Sequence, residues 1–119
     1  MNIIGTGIDI IEVSRIAKAV ERWGEHFLAH VFCAEELAYA KEKKFPNQHL
    51  AGRFAAKEAI LKALGDNSHL SWKDMKILND GFGRPYCVID KSKCRDHIQL
   101  SISHTENYAV ANAIITQKS

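Results

Sequence analysis

From Ser14 to Gly65 the hydrophobic residues of this chain keep helical spacing, and beyond Gly65 they take up strand patterns. That change of period limits the fold strongly, because a 3.6-residue repeat and a 2-residue repeat bury different faces. Between 14 and 23, Ile16, Val20 and Trp23 recur at helical spacing; Ser14 is placed to cap the start and Gly24 to end the helix. A second helical stretch, 34–44, stops before Pro46. The longest runs over 48–64, with Gly65 as its C-terminal stop. After a polar loop, 75–78 and 86–89 read as strands around the turn-rich segment 79–85. Ile98, Leu100 and Ile102 alternate with Gln99, Ser101 and Ser103, which predicts a half-buried strand, and 105–107 turns it into a last strand, 108–115. Ahead of all these, 3–11 is a short apolar run with β-branched residues and two glycines, expected to be a buried strand. Helices first and strands later predict an α+β domain, helices on a small antiparallel sheet, with residues 1–119 as one unit.

Composition narrows the classes of function. A net charge of +2 is too small to argue for nucleic acid. No stretch approaches the roughly 18 apolar residues of a membrane span, and the N-terminal segment lacks the basic region of a signal peptide, so a cytoplasmic location is expected. Cys33, Cys87 and Cys94 form neither a CxxC pair nor a zinc spacing and read as reduced structural thiols.

Charged residues in apolar settings mark the candidate chemistry. On the long helix, Leu50, Phe54, Leu61 and Leu64 define a stripe that contains Lys57 and has Glu58 at its edge. A charge facing a core needs a partner or a ligand; the plain alternative is a snorkelling lysine beside a Glu58–Lys62 pair. Asp9 ends the first apolar run, as a turn or cap residue or as a ligand. Asp9 and Glu58 together offer the hard oxygens used by Mg²⁺, which takes one or two carboxylates and completes its shell with water and phosphate. Arg53, Lys57 and Lys62 lie along the same helix, a pattern that suits a polyphosphate and equally a solvated basic face. Neither GxxxxGK[ST] nor GxGxxG is present. The 101–105 segment carries Ser103, His104 and Thr105 at a turn, but no GxSxG elbow supports a hydrolase. His26 and His30 lack a third ligand and read as surface residues.

Several segments in order resemble the holo-(acyl-carrier-protein) synthase family of 4′-phosphopantetheinyl transferases. They are Gly5-Thr6-Gly7-Ile8-Asp9-Ile10-Ile11-Glu12, then Leu50-Ala51-Gly52-Arg53-Phe54-Ala55-Ala56-Lys57-Glu58-Ala59 continuing to Lys62 and Gly65, then Gly83-Arg84-Pro85 and Ser101-Ile102-Ser103-His104-Thr105. The resemblance implies transfer of 4′-phosphopantetheine from coenzyme A to a serine of apo acyl carrier protein, in the service of fatty acid biosynthesis. It implies that Asp9 and Glu58 hold Mg²⁺ against the pyrophosphate and that Lys62 and Lys57 neutralise phosphate oxygens. Arg53 and His104 would lie near the 3′-phosphate, Gly83-Arg84-Pro85 by the adenine, and Gly65, Ser103 and Thr105 along the same coenzyme A site. Asp9, Glu58 and Lys62 would form the catalytic set. Homotrimers with sites between subunits are also implied, so that His104 of one chain serves Asp9 and Glu58 of a neighbour. The chain departs from the family pattern after Gly65, at Asp66-Asn67-Ser68-His69, and the stretch between Ile89 and His97 is short enough to reduce a helix to a turn.

On the first helix, Arg15, Lys18 and Arg22 form one basic stripe away from Ile16 and Val20. Such a stripe would steer an acidic carrier protein, or it is a solvated face. Two rivals remain at this point: a Mg²⁺-dependent nucleotide pyrophosphate hydrolase, and a non-catalytic module binding an acidic helical partner. The first lacks a glutamate-rich REx₂EE helix, and the second leaves Lys57 and Glu58 on the inner helix face without a reason.

Overall fold

Gly5 and Gly7 fix how this protein is built. A Cβ at Gly5 would sit 1.9 Å from the Ala63 carbonyl oxygen, and one at Gly7 would sit 2.0 Å from that of Ala59. The long helix therefore rests directly on the first strand, and only glycine permits that approach. The computed structural model describes residues 2–65 and 68–117. Its elements are β1 (Ile3–Glu12), α1 (Val13–Trp23), α2 (Glu25–Val31), α3 (Ala34–Lys41), α4 (Pro46–Leu64), β2 (Lys76–Asn79), β3 (Pro85–Val88), β4 (His97–His104) and β5 (Tyr108–Thr116), with a short 3-10 turn at Trp72–Asp74.

The strands form two antiparallel sheets, not the single sheet expected: β1-β5-β4, and a separate β2-β3 hairpin. In the larger sheet β5 is central, and its inner positions Ala109, Ala111 and Ala113 are fully or almost fully buried under α4. Small residues on the sheet meet Ala55 and Ala59 on the helix, so backbone approaches backbone with few large side chains between. Register then sets the rows of the inner face: Asp9 lies beside Ala111 and Ala111 beside Ile102, while Ile11, Ala109 and His104 form the next row.

The first strand is half-buried, not buried. It is an edge strand whose even positions face outward, leaving Ile8 62% and Ile10 64% exposed. Helix α1 begins at Val13 with Glu12 as its N-cap, so Ser14 lies inside the helix and caps nothing. Trp23 belongs to the solvent side at 55% exposure, with the Arg22 guanidinium 4.9 Å from its ring. Gly24, at φ 53°, ends α1 but also opens α2, an element that its short length hid from periodicity. Helix α3 stops at Lys41, short of the expected 44. Helix α4 starts with Pro46 in its first turn, and Gly65 closes it at φ 80°, its N–H donating to the Leu61 carbonyl. A turn occupies 91–93, in place of any helix between β3 and β4.

The expected Leu–Phe stripe on α4 is only one side of a wider buried arc. Ala51, Ala55, Ala56, Ala59 and Ile60 have no exposed surface, while Phe54, Leu61 and Leu64 are partly open. One flank of α4 lies on the β1-β5-β4 sheet and the other packs against α3 and β2, so it is buried on two sides. Complete burial of a side chain such as Ile60 contributes about 1.5–3 kcal/mol, and Phe32, Met75, Ile77 and Ile115 elsewhere in the chain add similar terms.

Candidate active site

Glu58 and Lys62 lie one turn apart on α4, above Asp9 on the inner face of β1. The Lys62 ammonium donates to Asp9 Oδ1 at 3.1 Å and to the Ile8 carbonyl at 2.9 Å, yet its side chain is 58% exposed. Burial lifts the Glu58 carboxyl above its ordinary value; the neighbouring Asp9 charge adds to that, and Lys62 opposes it. Asp9 and Glu58 are therefore close enough to repel each other, and proximity to a cation would relieve both. Among the described residues no three His, Cys, Asp or Glu side chains gather as a metal cluster. Two coupled carboxylates beside solvent still fit Mg²⁺, which keeps several waters and shares its shell with phosphate.

Lys57 has a different fate from the one expected of it. It is fully buried, and its Nζ donates to Glu36 Oε1 and to the Val31 carbonyl, both at 2.7 Å. Glu36, also without exposed surface, accepts the Cys33 N–H at 2.9 Å and the Ile77 N–H at 3.0 Å. One carboxylate thus joins α3, β2 and α4. Burial pulls the lysine's pKa down and Glu36 opposes that pull. With its donors committed inside the core, Lys57 has no surface to offer a phosphate, and that assignment is corrected. Cys33 at the N-cap and Glu36 at N3 form a capping box. A cysteine at the first position hides that signal in the sequence, because such boxes normally open with Ser or Thr.

A second constellation surrounds Arg53. Its guanidinium, 4% exposed, lies 4.1 Å from the Tyr39 ring centroid and donates to Asn79 Oδ1, while its Nε has no protein partner. Asn79 Nδ2 donates in turn to the Gly83 carbonyl at 3.0 Å, tying the β2–β3 tip to Arg53. Gly83 makes this tip at φ 84°. A cavity of about 150 Å³ opens here, lined by the candidate residues Arg53, His104, Gly83 and Pro85, by Gly52 and Ile102 of the same segments, and by Tyr39, His49 and Asn79, which were not site candidates.

Other expected residues lie elsewhere. Ser103 alternates with His104 along β4 and occupies the outer face, away from the cavity. Thr105 Oγ1 accepts the N–H groups of Asn107 and Tyr108, so it brackets the β4–β5 turn. Arg84 is exposed and does not line the cavity; its N–H donates to Asp80 Oδ1 at 2.9 Å. Gly65 is an exposed helix stop near Lys62, and Asp66 and Asn67 lie outside the described residues. Arg15, Lys18 and Arg22 are all exposed on α1. His30 meets Trp72 edge-on at 5.7 Å. The cavity lining includes neither Asp9, Glu58 nor Lys62, so one chain holds the carboxylate pair and the Arg53 cavity as separate features on one helix.

A family model described as the 4′-phosphopantetheinyl transferase superfamily matches residues 5–113. A holo-(acyl-carrier-protein) synthase of Protochlamydia amoebophila is 44% identical over 117 residues, covering 93% of this chain and 96% of that protein. One from Halothermothrix orenii is 44% identical over 115 residues, covering 90% and 92%. Among solved structures, the Bacillus anthracis synthase in complex with CoA (3′,5′-ADP) superposes with a TM-score of 0.86 at 35% identity, covering 98% of each chain. The Helicobacter pylori synthase in complex with coenzyme A gives 0.84 at 33% identity, covering 93% of this chain and 99% of that one.

Proposed function

The chain belongs to the 4′-phosphopantetheinyl transferase superfamily, and from that premise we propose that it transfers 4′-phosphopantetheine from coenzyme A to a serine of apo acyl carrier protein. The observation that carries the reading is the pairing of Asp9, Glu58 and Lys62 in a chain that matches holo-(acyl-carrier-protein) synthases along nearly its whole length. In the reaction the carrier serine oxygen bonds to the β-phosphorus of coenzyme A. The bond from that phosphorus to the bridging oxygen breaks, and adenosine 3′,5′-bisphosphate leaves. Such transfers depend on alignment and on neutralising phosphate oxygens more than on covalent help from the protein.

Asp9 and Glu58 would hold Mg²⁺, which when bound supplies charge neutralisation at the pyrophosphate. Lys62 is the mobile cation: held by Asp9 and the Ile8 carbonyl but largely solvated, it can turn to a phosphate oxygen without losing core packing. The serine proton passes to this carboxylate pair or to a water that it orients. Arg53 and His104 take the 3′-phosphate, and Gly83 and Pro85 flank the adenine; the unpartnered Arg53 Nε supports an anion there. Arg15, Lys18 and Arg22 receive the acidic carrier.

A homotrimer with shared sites completes the reading. Its support is twofold: the outer sheet face exposes Ile4, Ile8, Ile10 and Tyr108 together, and the carboxylate pair and Arg53 cavity of one chain do not merge. Ser103, Thr105 and Arg84, which do not line that cavity, would act at the subunit boundary. No described helix is long and apolar enough to cross a membrane. A cytoplasmic role in fatty acid biosynthesis follows from the family, and the chain's three free cysteines are consistent with it. The test is mass spectrometry of an apo carrier protein incubated with this protein, coenzyme A and Mg²⁺. A mass gain equal to phosphopantetheine is expected; an unchanged carrier with intact protein would overturn the assignment.

A further inference from the structure

His49 is the one imidazole that the Arg53 cavity holds besides His104, and nothing in the proposed transfer uses it. Its ring meets His104 edge-on, with centroids 4.8 Å apart, and Tyr39 at 5.7 Å. The charged and titratable groups around it are Arg53 on its own helix, His104 on β4, and Tyr39 and Lys43 from α3 and the segment after it. Lys43 lies over the other side of this cluster, its Nζ 4.5 Å from the Tyr39 centroid. Among the described residues no carboxylate lines the cavity, although the Glu36 charge acts on Arg53 from the core side. Cationic groups therefore converge on a small space with no counter-charge in its described lining.

His104 adds a chemical constraint. Its Nδ1 lies 3.0 Å from Gln48 Oε1, so that contact occupies one ring nitrogen and leaves Nε2 for a ligand. A neutral imidazole donates from one nitrogen only, and the ring donates from both, as a cation, only when it takes up a proton. A phosphate oxygen entering beside this pair therefore gains a second cationic donor only by drawing in a proton.

We propose that His49, with His104, forms a proton-coupled sensor of the ligand's phosphomonoester: entry of that dianion protonates the pair, and His49 helps to distinguish a 3′-phosphorylated ligand from one that lacks the group. This inference rests on the reading of the cavity as the coenzyme A 3′-phosphate site. Without ligand, burial holds the His49 pKa below its ordinary 6.5, with His104, Arg53 and Lys43 acting in the same direction. Burial thus keeps the ring neutral near pH 7, and a bound dianion reverses the balance. The sign follows: preference for the phosphorylated ligand strengthens as pH falls toward neutrality. It fades near pH 6, where the phosphate itself takes up its second proton, with a pKa of about 6.

The test is isothermal titration calorimetry of the intact protein without carrier, using coenzyme A and 3′-dephospho-coenzyme A in buffers of different ionisation enthalpy. At about pH 7, coenzyme A should take up more protons than the dephospho form. The affinity ratio of the two ligands should fall roughly fivefold from about pH 6.5 to about pH 8, within the tenfold per pH unit that one coupled proton permits. His49→Gln, which keeps a polar side chain but cannot titrate, should flatten that dependence and remove much of the extra proton uptake. His49→Phe should do the same, and thermal melts check that both variants fold. Unchanged proton uptake and pH slope in folded His49→Gln would overturn the role of His49 while leaving the coenzyme A site intact. Failure of the wild-type protein to bind either ligand would overturn the cavity assignment and this inference with it.

Discussion

Two lysines five positions apart on α4 meet carboxylates in opposite settings. Lys57 and Glu36 are sealed in the core, the lysine bonded to Glu36 and the Val31 carbonyl and the carboxylate also accepting the Cys33 and Ile77 N–H groups. Lys62 and Asp9 touch at 3.1 Å across an open edge, and the lysine is mostly in water. A buried pair cannot exchange partners without leaving a charge stranded, so it locks elements together. An exposed pair holds loosely, gains little stability from the contact, and can release its lysine to a ligand. The difference teaches that position relative to solvent, not residue type, separates a structural cation from a chemical one.

The comparison breaks most visibly at the buried pair. Lys57→Met should cost about 3–5 kcal/mol of folding stability, because it strands the Glu36 carboxylate in the core. Chemical denaturation would measure it; a loss below about 1 kcal/mol would mean that the pair is dispensable. Glu36→Gln should cost less than Glu36→Ala, since the amide oxygen can still accept from one of the two N–H groups.

At the open pair the effect should appear in turnover. Asp9→Ala and Glu58→Gln should lower carrier modification on the order of 10²-fold or more, the scale of a lost acid–base or charge contribution. Neither change should unfold the protein. Retained rates at limiting Mg²⁺ would remove these residues from the site.

Glu58 sharpens the contrast further through pH. Its carboxyl is raised from the ordinary 4.5, so the folded state binds that proton more tightly than the unfolded chain. The resulting penalty is absent below 4.5, grows as pH rises through the folded value, and is complete above it. Glu58→Gln should therefore raise the melting temperature modestly at neutral pH and leave it unchanged in mild acid. A variant that melts lower at neutral pH would show that Glu58 is structural, as Lys57 is.

The smallest expected effect lies farthest from both pairs. Reversing Arg15 and Arg22 to Glu should lower kcat/KM for the carrier several-fold at low salt, while coenzyme A affinity stays constant. The wild-type rate should fall with added salt, and the reversed variant should respond weakly or in the opposite sense. Normal carrier kinetics at low salt would reduce the stripe to a solvated face.

Much of the secondary structure was legible because it depends on local order. Alternation placed β4, the turn after it placed β5, Gly65 stopped α4, and the apolar run placed β1. The reading failed where neighbours decide: β1 looked buried because its isoleucines are apolar, yet it is an edge strand with one open face. Charge placement brought Asp9, Glu58, Lys62 and Arg53 into view and the resemblance gave them and His104 their roles, but neither pointed to His49, Tyr39 or Asn79 as site residues.

By itself the sequence determined the kinds of element, most of their ends, and a short set of charged residues too costly to be idle. Helical and strand periods, glycine stops and proline starts are properties of a few consecutive residues, so they can be read without a partner. Tertiary structure alone decided which charge is sealed and which is free. Lys57 and Glu36 are 21 positions apart, and Lys62 and Asp9 are 53 apart. The first meeting depends on α3 packing against α4, and the second on α4 lying flat on Gly5 and Gly7, a close approach set by the absence of two Cβ atoms. Burial is a property of the assembled surface, and the pairing and protonation of a charge follow from burial.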